Sequence, residues 1–433
     1  MKKVGLFLFI IFLPNFFFLF SNSLKKSPVQ FDYNYIKINN HMGIHVNSDA
    51  FAFIGAAIQP GYLFQDQYYR QSRPGYILAG TVLGYTIYYI TYPIHSVIKK
   101  KIQKSLSLKN TQAEREKDIL YFSFYAGFIL LNIALMVFSL LLFDKIIYLS
   151  SGTWKNGWVL YIFILLMITG NNGTKYFFWT PHQQLFNILT PLLSIYAGLI
   201  LLQKRISRSR IFIWSFCCGL LLLMYGNFVL LFLTILMCSL YNCPAYKSNF
   251  TSIAIKISIS ILFFALPTLI WILILSLNGV SFFNSEINSY RQFIWIADAA
   301  KISLHNLLYC GAVNTWYFLQ TLGSLLLPLL LPAMTILYFL KNNISLSVLT
   351  QRIAIIPLFI CIAHVLFFWA LGYYADRLTF SLMPFILYYF ILLINQQKVD
   401  KKLEYALILL ISISFLWIVF FEAPHFSNRL FLN

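Results

Sequence analysis

Apolar runs of 15–25 residues recur from one end of the chain to the other, separated by short polar stretches. They lie near 4–20, 75–98, 119–143, 157–170, 184–203, 211–240, 252–278, 316–340, 353–371, 378–394 and 404–421. A helix needs about 20 apolar residues to cross roughly 30 Å of hydrocarbon, so each run reads as a candidate span. The 211–240 run contains Gly226-Asn227 and predicts two short helices turning there. The pattern predicts an all-α polytopic membrane protein, a single integral membrane domain over 1–433 with 10–12 transmembrane helices. A membrane β-barrel would alternate apolar and polar residues in ten-residue segments, and these runs do not alternate.

Between the runs lie two large loops, 21–74 and 279–315, with 171–183 and the turn 372–377 on the same expected side. Phe293-Ile294-Trp295-Ile296, set among polar residues, predicts helices lying along the membrane interface within 279–315. Residues 1–20 begin Met-Lys-Lys and contain Pro14; they read as an uncleaved first span, with a cleavable signal peptide as the other reading. No internal repeat and no second, soluble domain is evident.

Composition agrees: 60% of residues are hydrophobic, 10% charged, and mean hydropathy is +0.74. The formal charge of +19 is no nucleic-acid signal, because Lys and Arg fall in short loops beside spans. The positive-inside rule puts Lys99, Lys100, Lys101, Lys104, Lys109, Arg115 and Lys117 in the cytoplasm, with Lys204, Arg205, Arg208, Arg210, Lys398, Lys401 and Lys402. The loop 21–74 then faces outward. One conflict arises: passing from 99–118 inside to 171–183 outside needs an odd number of crossings, whereas two apolar segments intervene. Either one is re-entrant or 145–156 itself crosses. The six cysteines lack metal-ligand spacing and read as small apolar residues.

Ionisable groups at a membrane are costly and point to function. The loop 21–74 carries Asp49, Asp66, Arg70 and Arg73, followed by Tyr76. Asp49 opens the helix-like stretch Ala50–Ile58, which Gln59-Pro60-Gly61 ends. Two readings compete: Ser48 or Asp49 as a helix N-cap, and Asp49 as a catalytic carboxylate. His41, His45 and Asp49 have i, i+4, i+8 spacing, but Gly43 and the surrounding asparagines argue against one continuous helix of metal ligands. Thr180-Pro181-His182 precedes a span and is expected to share Asp49's cavity, unless it is only a Pro-initiated helix start.

The order of a short first span, a loop with an Asp followed by aromatic and small residues, and Arg70-Gln71-Ser72-Arg73-Pro74-Gly75-Tyr76 resembles the GT-C glycosyltransferases, which use polyprenyl-phosphate-linked sugars. Tyr373-Tyr374-Ala375-Asp376-Arg377 resembles that family's Arg-containing turn before a late span. The resemblance implies that Asp49 is the essential first-loop acid. Many members pair two acids there, often with a metal; Asp49 stands between Ser48 and Ala50, so no metal or other cofactor is carried over.

Sugar transfer from a lipid phosphate needs an ionised base, for which an Asp of ordinary pKa near 3.9 serves. It also needs cations on the departing phosphate, and Arg suits that task through its planar fork. The expected roles are Asp49 as catalytic base, Arg73, Arg377 and Arg70 as donor-phosphate contacts, and His182, Asp66 and Tyr76 as substrate contacts. Arg291 and Lys175 stand behind these. The expected partners are a polyprenyl-phosphate sugar, a glycan, lipid or protein acceptor, and membrane lipid, with no nucleic acid. Nucleotide-binding glycine patterns are absent, consistent with a lipid-linked donor. The competing classes are an O-antigen-type polymerase or ligase, which would lean on paired arginines in a late loop, and a transporter or flippase, which would carry charge at the bilayer midplane. A bacterial inner (plasma) membrane is the expected location.

Overall fold

A computed structural model describes residues 2–20, 33–37, 41–94, 112–203, 207–241, 250–344, 346–374, 376–421 and 428–429. The first third runs α1 (Lys2–Phe18), a ribbon of β1 (Tyr33–Lys37) and β2 (Gly43–Asn47), α2 (Ser48–Ile58), α3 (Pro74–Thr91) and α4 (Gln112–Ser151). Next come α5 (Trp158–Thr169), α6 (Asn172–Phe177), α7 (Phe186–Gln203), α8 (Arg208–Leu222), α9 (Phe228–Tyr241) and α10 (Phe250–Leu277). The remainder is α11 (Ser285–Tyr290), α12 (Ile294–Ile302), α13 (Leu304–Thr321), α14 (Leu326–Lys341), α15 (Arg352–Leu371), β3 (Tyr373–Tyr374), α16 (Asp376–Thr379), α17 (Met383–Ile394), α18 (Lys401–Phe420) and β4 (Asn428–Arg429). The chain is an all-α protein of multi-pass membrane type. Its two antiparallel ribbons, β1–β2 and β3–β4, are additions that the apolar pattern did not predict.

The span count is lower than expected. Among the described residues, five helices are long and apolar enough to cross a membrane: Asp118–Ser151, Gln183–Leu201, Thr251–Leu277, Arg352–Leu371 and Lys401–Phe420. The pair Leu304–Thr321 and Leu326–Lys341, bent by 80°, makes a sixth if taken as one span. The other apolar runs are cut short by turns. The 211–240 run does divide, at residues 223–227, as the Gly226-Asn227 step predicted. The expected second span, α3, carries four tyrosines, three threonines and three glycines and is not among those five helices.

The long helix α4 organises the rest. At 40 residues it measures about 60 Å. Its first half packs antiparallel to α3, where the absence of a Cβ at Gly80 and Gly84 lets the rings of Phe128 and Phe124 lie against the α3 backbone. Near its middle, the Asn132 amide donates to the carbonyls of Phe177, Phe178 and Thr180 at 3.0–3.1 Å. At its far end Ser151 Oγ accepts from Asn395 at 3.0 Å. Lys155 Nζ is close by on the Gln396 carbonyl.

The α3 and α4 ends that flank the segment 99–118 lie beyond Asn132, away from Ser151. Residues 95–111 themselves are outside the described residues. Of the predicted basic clusters, the one leading into α18 sits at the Ser151 pole, where Asp400 Oδ1 caps the helix by accepting from Leu403 N at 2.7 Å.

Candidate functional site

Several helix ends converge on a cleft of about 420 Å³. Asp49 reaches it from the first turn of α2, Arg70, Ser72 and Arg73 from the segment entering α3, and His182 and Gln184 from the segment entering α7. Tyr225, Gly226 and Asn227 contribute from the α8–α9 turn, and Asn284 and Glu286 from the start of α11. The rest of the lining is mainly apolar and includes Val229, Ile287, Phe293, Phe367, Leu371 and Leu378.

The capping question resolves at residue 47. Asn47 has extended backbone (φ −87°, ψ 166°), and its Oδ1 accepts from Ala50 N at 3.0 Å, so it is the N-cap of α2. Asp49 is thereby left with its carboxylate turned outward from the first turn, 38% exposed. The positive end of the α2 dipole favours its ionised form. Its Oδ1 pairs with Arg70, and its Oδ2 lies 3.2 Å from His182 Nε2. An ionised carboxylate only accepts, so this contact places the hydrogen on Nε2.

Arg70 is buried, with its guanidinium 4.5 Å from the centre of the Phe53 ring and 4.8 Å from that of Tyr69. A buried cation needs a counter-charge, and Asp49 supplies it. Arg73 pairs with Glu286, whose Oε2 also accepts from Ser72 Oγ at 3.2 Å. With its amide oxygen turned toward Arg73, Gln183 accepts from Nε at 3.1 Å. The two arginines balance the two carboxylates, Asp49 and Glu286. Burial pushes the Tyr68 phenol up to about 12 and raises that of Tyr69, so both stay protonated near neutrality.

A second network forms the floor. Asn187 Oδ1 accepts from Tyr225 Oη at 3.0 Å and from Asn227 Nδ2 at 2.5 Å, while Asn187 Nδ2 donates to Gln184 Oε1 at 2.6 Å. The segment before α3 is itself locked to the chain after α10. The Gln71 carbonyl accepts from Trp271 Nε1 at 2.9 Å, and Gln71 Oε1 accepts from Phe283 N at 2.8 Å. Ser285 Oγ donates to the Tyr69 carbonyl at 2.8 Å.

Of the predicted residues, Asp49, Arg70, Arg73 and His182 meet at the cleft, but Arg70 is committed to Asp49 rather than open to an incoming phosphate. Arg377 has its backbone in α16, one residue before Leu378 of the cleft wall, and its side chain is outside the described residues. Asp66 lies on an exposed turn and does not line the cleft. Tyr76 does not line it either: its ring is fully buried 4.9 Å from Phe53 and 5.1 Å from Phe128. Arg291 pairs with Asp298, and Lys175 Nζ donates to the Ile418 and Val419 carbonyls near the end of α18. His45 lies in strand β2, so no helix aligns it with His41 and Asp49. Among the described residues no group of three or more His, Cys, Asp or Glu is placed to hold a metal ion.

Gln183 and Gln184 belong to the segment 180–184 expected to face Asp49's cavity, whereas sequence reasoning gave Glu286, Asn187 and Asn227 no role in the site. The signal for Asn227 was present, because a Gly-Asn step inside a 30-residue apolar run is a costly place for an amide without a partner. Comparison with protein-family models, with curated proteins and with solved structures gives no match.

Proposed function

We propose that this chain is a membrane glycosyltransferase that moves a sugar, with inversion, from a polyprenyl-phosphate carrier to an acceptor hydroxyl on the extracytoplasmic face. The observation that carries the reading is the Asp49 carboxylate, steered by Arg70 and His182 and open to a cleft lined by both polar and apolar side chains. Such a cleft suits a substrate that is charged at one end and hydrocarbon at the other.

In this reading Asp49 takes the proton of the acceptor hydroxyl as its oxygen attacks the anomeric carbon. The bond to the phosphate oxygen breaks from the opposite face, and the phosphate leaves with the electron pair. Arg73 exchanges Glu286 for the departing phosphate, and Arg70 and His182 hold the base in one orientation. The amides of Gln184 and Asn227 offer hydrogen bonds to sugar hydroxyls at the cleft floor. The test is transfer of labelled sugar from polyprenyl-phosphate donors by the purified protein, native against Asp49→Asn. Transfer by the native chain and a loss of about 10²–10⁴-fold in the variant support the reading; native-level transfer in a folded Asp49→Asn protein ends it.

A further inference from the structure

At the pole opposite the cleft, α1, the end of α4 and the start of α5 enclose a second cavity of about 500 Å³. Its charged groups are Lys3, Asp144 and Lys145, and its aromatic groups are Tyr148, Trp154, Trp158 and Tyr161. Asp144 is spoken for: Oδ2 accepts from Lys3 Nζ at 3.0 Å and Oδ1 from Tyr161 Oη at 2.6 Å. Lys145 sits with its ammonium 5.0 Å from the Tyr148 ring centre and has no carboxylate partner among the described residues. The cavity thus keeps one net positive charge.

Its rim joins a lipid-compatible surface. Trp158 is 72% and Tyr148 59% exposed, and Leu6 of α1, which also lines the cavity, is 37% exposed. Exposed Trp and Tyr next to Lys mark the headgroup layer of a bilayer. Basic pockets between transmembrane helices at that level take anionic headgroups. A small soluble anion would gain nothing from the aromatic and aliphatic rim, whereas a phospholipid uses both parts. From this we infer that the cavity is a binding site for an anionic phospholipid, with the headgroup phosphate on Lys145 and Lys3 and the acyl chains along α1.

The test uses the full chain in detergent, with native mass spectrometry to count retained lipid after addition of phosphatidylglycerol or phosphatidylcholine of matched chains. Preferential retention of phosphatidylglycerol is expected. Lys145→Gln should lower it about fivefold. Asp144→Asn, which removes the competing negative charge, should raise it. Glycerol 3-phosphate in millimolar excess should not displace the lipid. Equal retention of the two lipids, an unchanged preference in Lys145→Gln, or displacement by glycerol 3-phosphate would each overturn the assignment. Lys145 is an exposed side chain, so its substitution leaves the packing of α4 intact.

Discussion

Replacing Asp49 tests two ideas at once, because this carboxylate is both the candidate base and the counter-ion of a buried guanidinium. The Arg70 side chain is 7% exposed and that of Asp49 38%. Removing one member of a buried pair costs about 3–5 kcal/mol, and the partial exposure of Asp49 puts Asp49→Asn near 3 kcal/mol. Arg70→Met should cost less, about 1–2 kcal/mol, since the stranded carboxylate keeps water and His182. In the double variant the uncompensated cation is gone, and a methionine can rest on Phe53 and Tyr69 in place of the guanidinium. A net loss of about 1 kcal/mol is expected, which is a coupling of about 3 kcal/mol. Unfolding would be followed by tryptophan fluorescence in mixed micelles, and transfer by the labelled-sugar assay. Stability should return in the double variant while transfer stays about 10²–10⁴-fold down. Recovery of transfer along with stability would refute the catalytic role and leave Asp49 as a counter-ion.

Other outcomes follow from the same geometry. Glu286→Gln frees Arg73 from its carboxylate, so KM for a polyprenyl-phosphate donor should fall several-fold even as stability drops by about 2 kcal/mol; an unchanged KM would detach Arg73 from the donor phosphate. Gly80→Val drives a side chain into the Phe128 ring and should destabilise by about 1–3 kcal/mol, with part of the loss restored by Phe128→Leu, measured by unfolding of single and double variants. Single cysteines at 118 and 402, which lie toward opposite ends of α4, should be labelled from opposite sides of the membrane; labelling of both from one side would support the charge-based placement of the two basic segments together. The amide of Leu403 holds the Asp400 carboxyl below its usual range. Its capping contribution is therefore complete above the ordinary Asp pKa of about 3.9 and is lost as pH falls through the lower folded value, so amide exchange at the start of α18 should quicken over that acid range.

The helices were legible because apolar runs of this length have few alternatives to helix in a bilayer. Gly226-Asn227 marked its break since neither residue sustains a lipid-facing helix. Two features stayed hidden for physical reasons. The charge pattern placed 99–118 and 398–402 on one side, whereas the helix ends beside them lie at opposite ends of α4, a separation that charge counting along the chain does not register. The partner of Arg73 stayed hidden because Glu286 is more than 200 residues away, and tertiary bonds such as Gln71–Phe283 and Tyr69–Ser285 bring the two segments together. Asp49 and His182 were found through local chemistry: a carboxylate in the first turn of a short helix, and a histidine just after a proline. Tyr76 and Asp66 shared that neighbourhood in sequence alone.

A rod some 60 Å long cannot sit inside a 30 Å slab unless it leans by about 60°, well outside the 0–40° at which helices cross bilayers. About half of α4 must therefore stand proud of the lipid. Asn132 falls at its midpoint, and from there to Ser151 is about 28 Å, one hydrocarbon thickness. If the Ser151 half is the immersed one, the waterline crosses the protein at the turn that Asn132 grips, and a long-tailed molecule could present its head to the carboxylate without its tail ever leaving the oil.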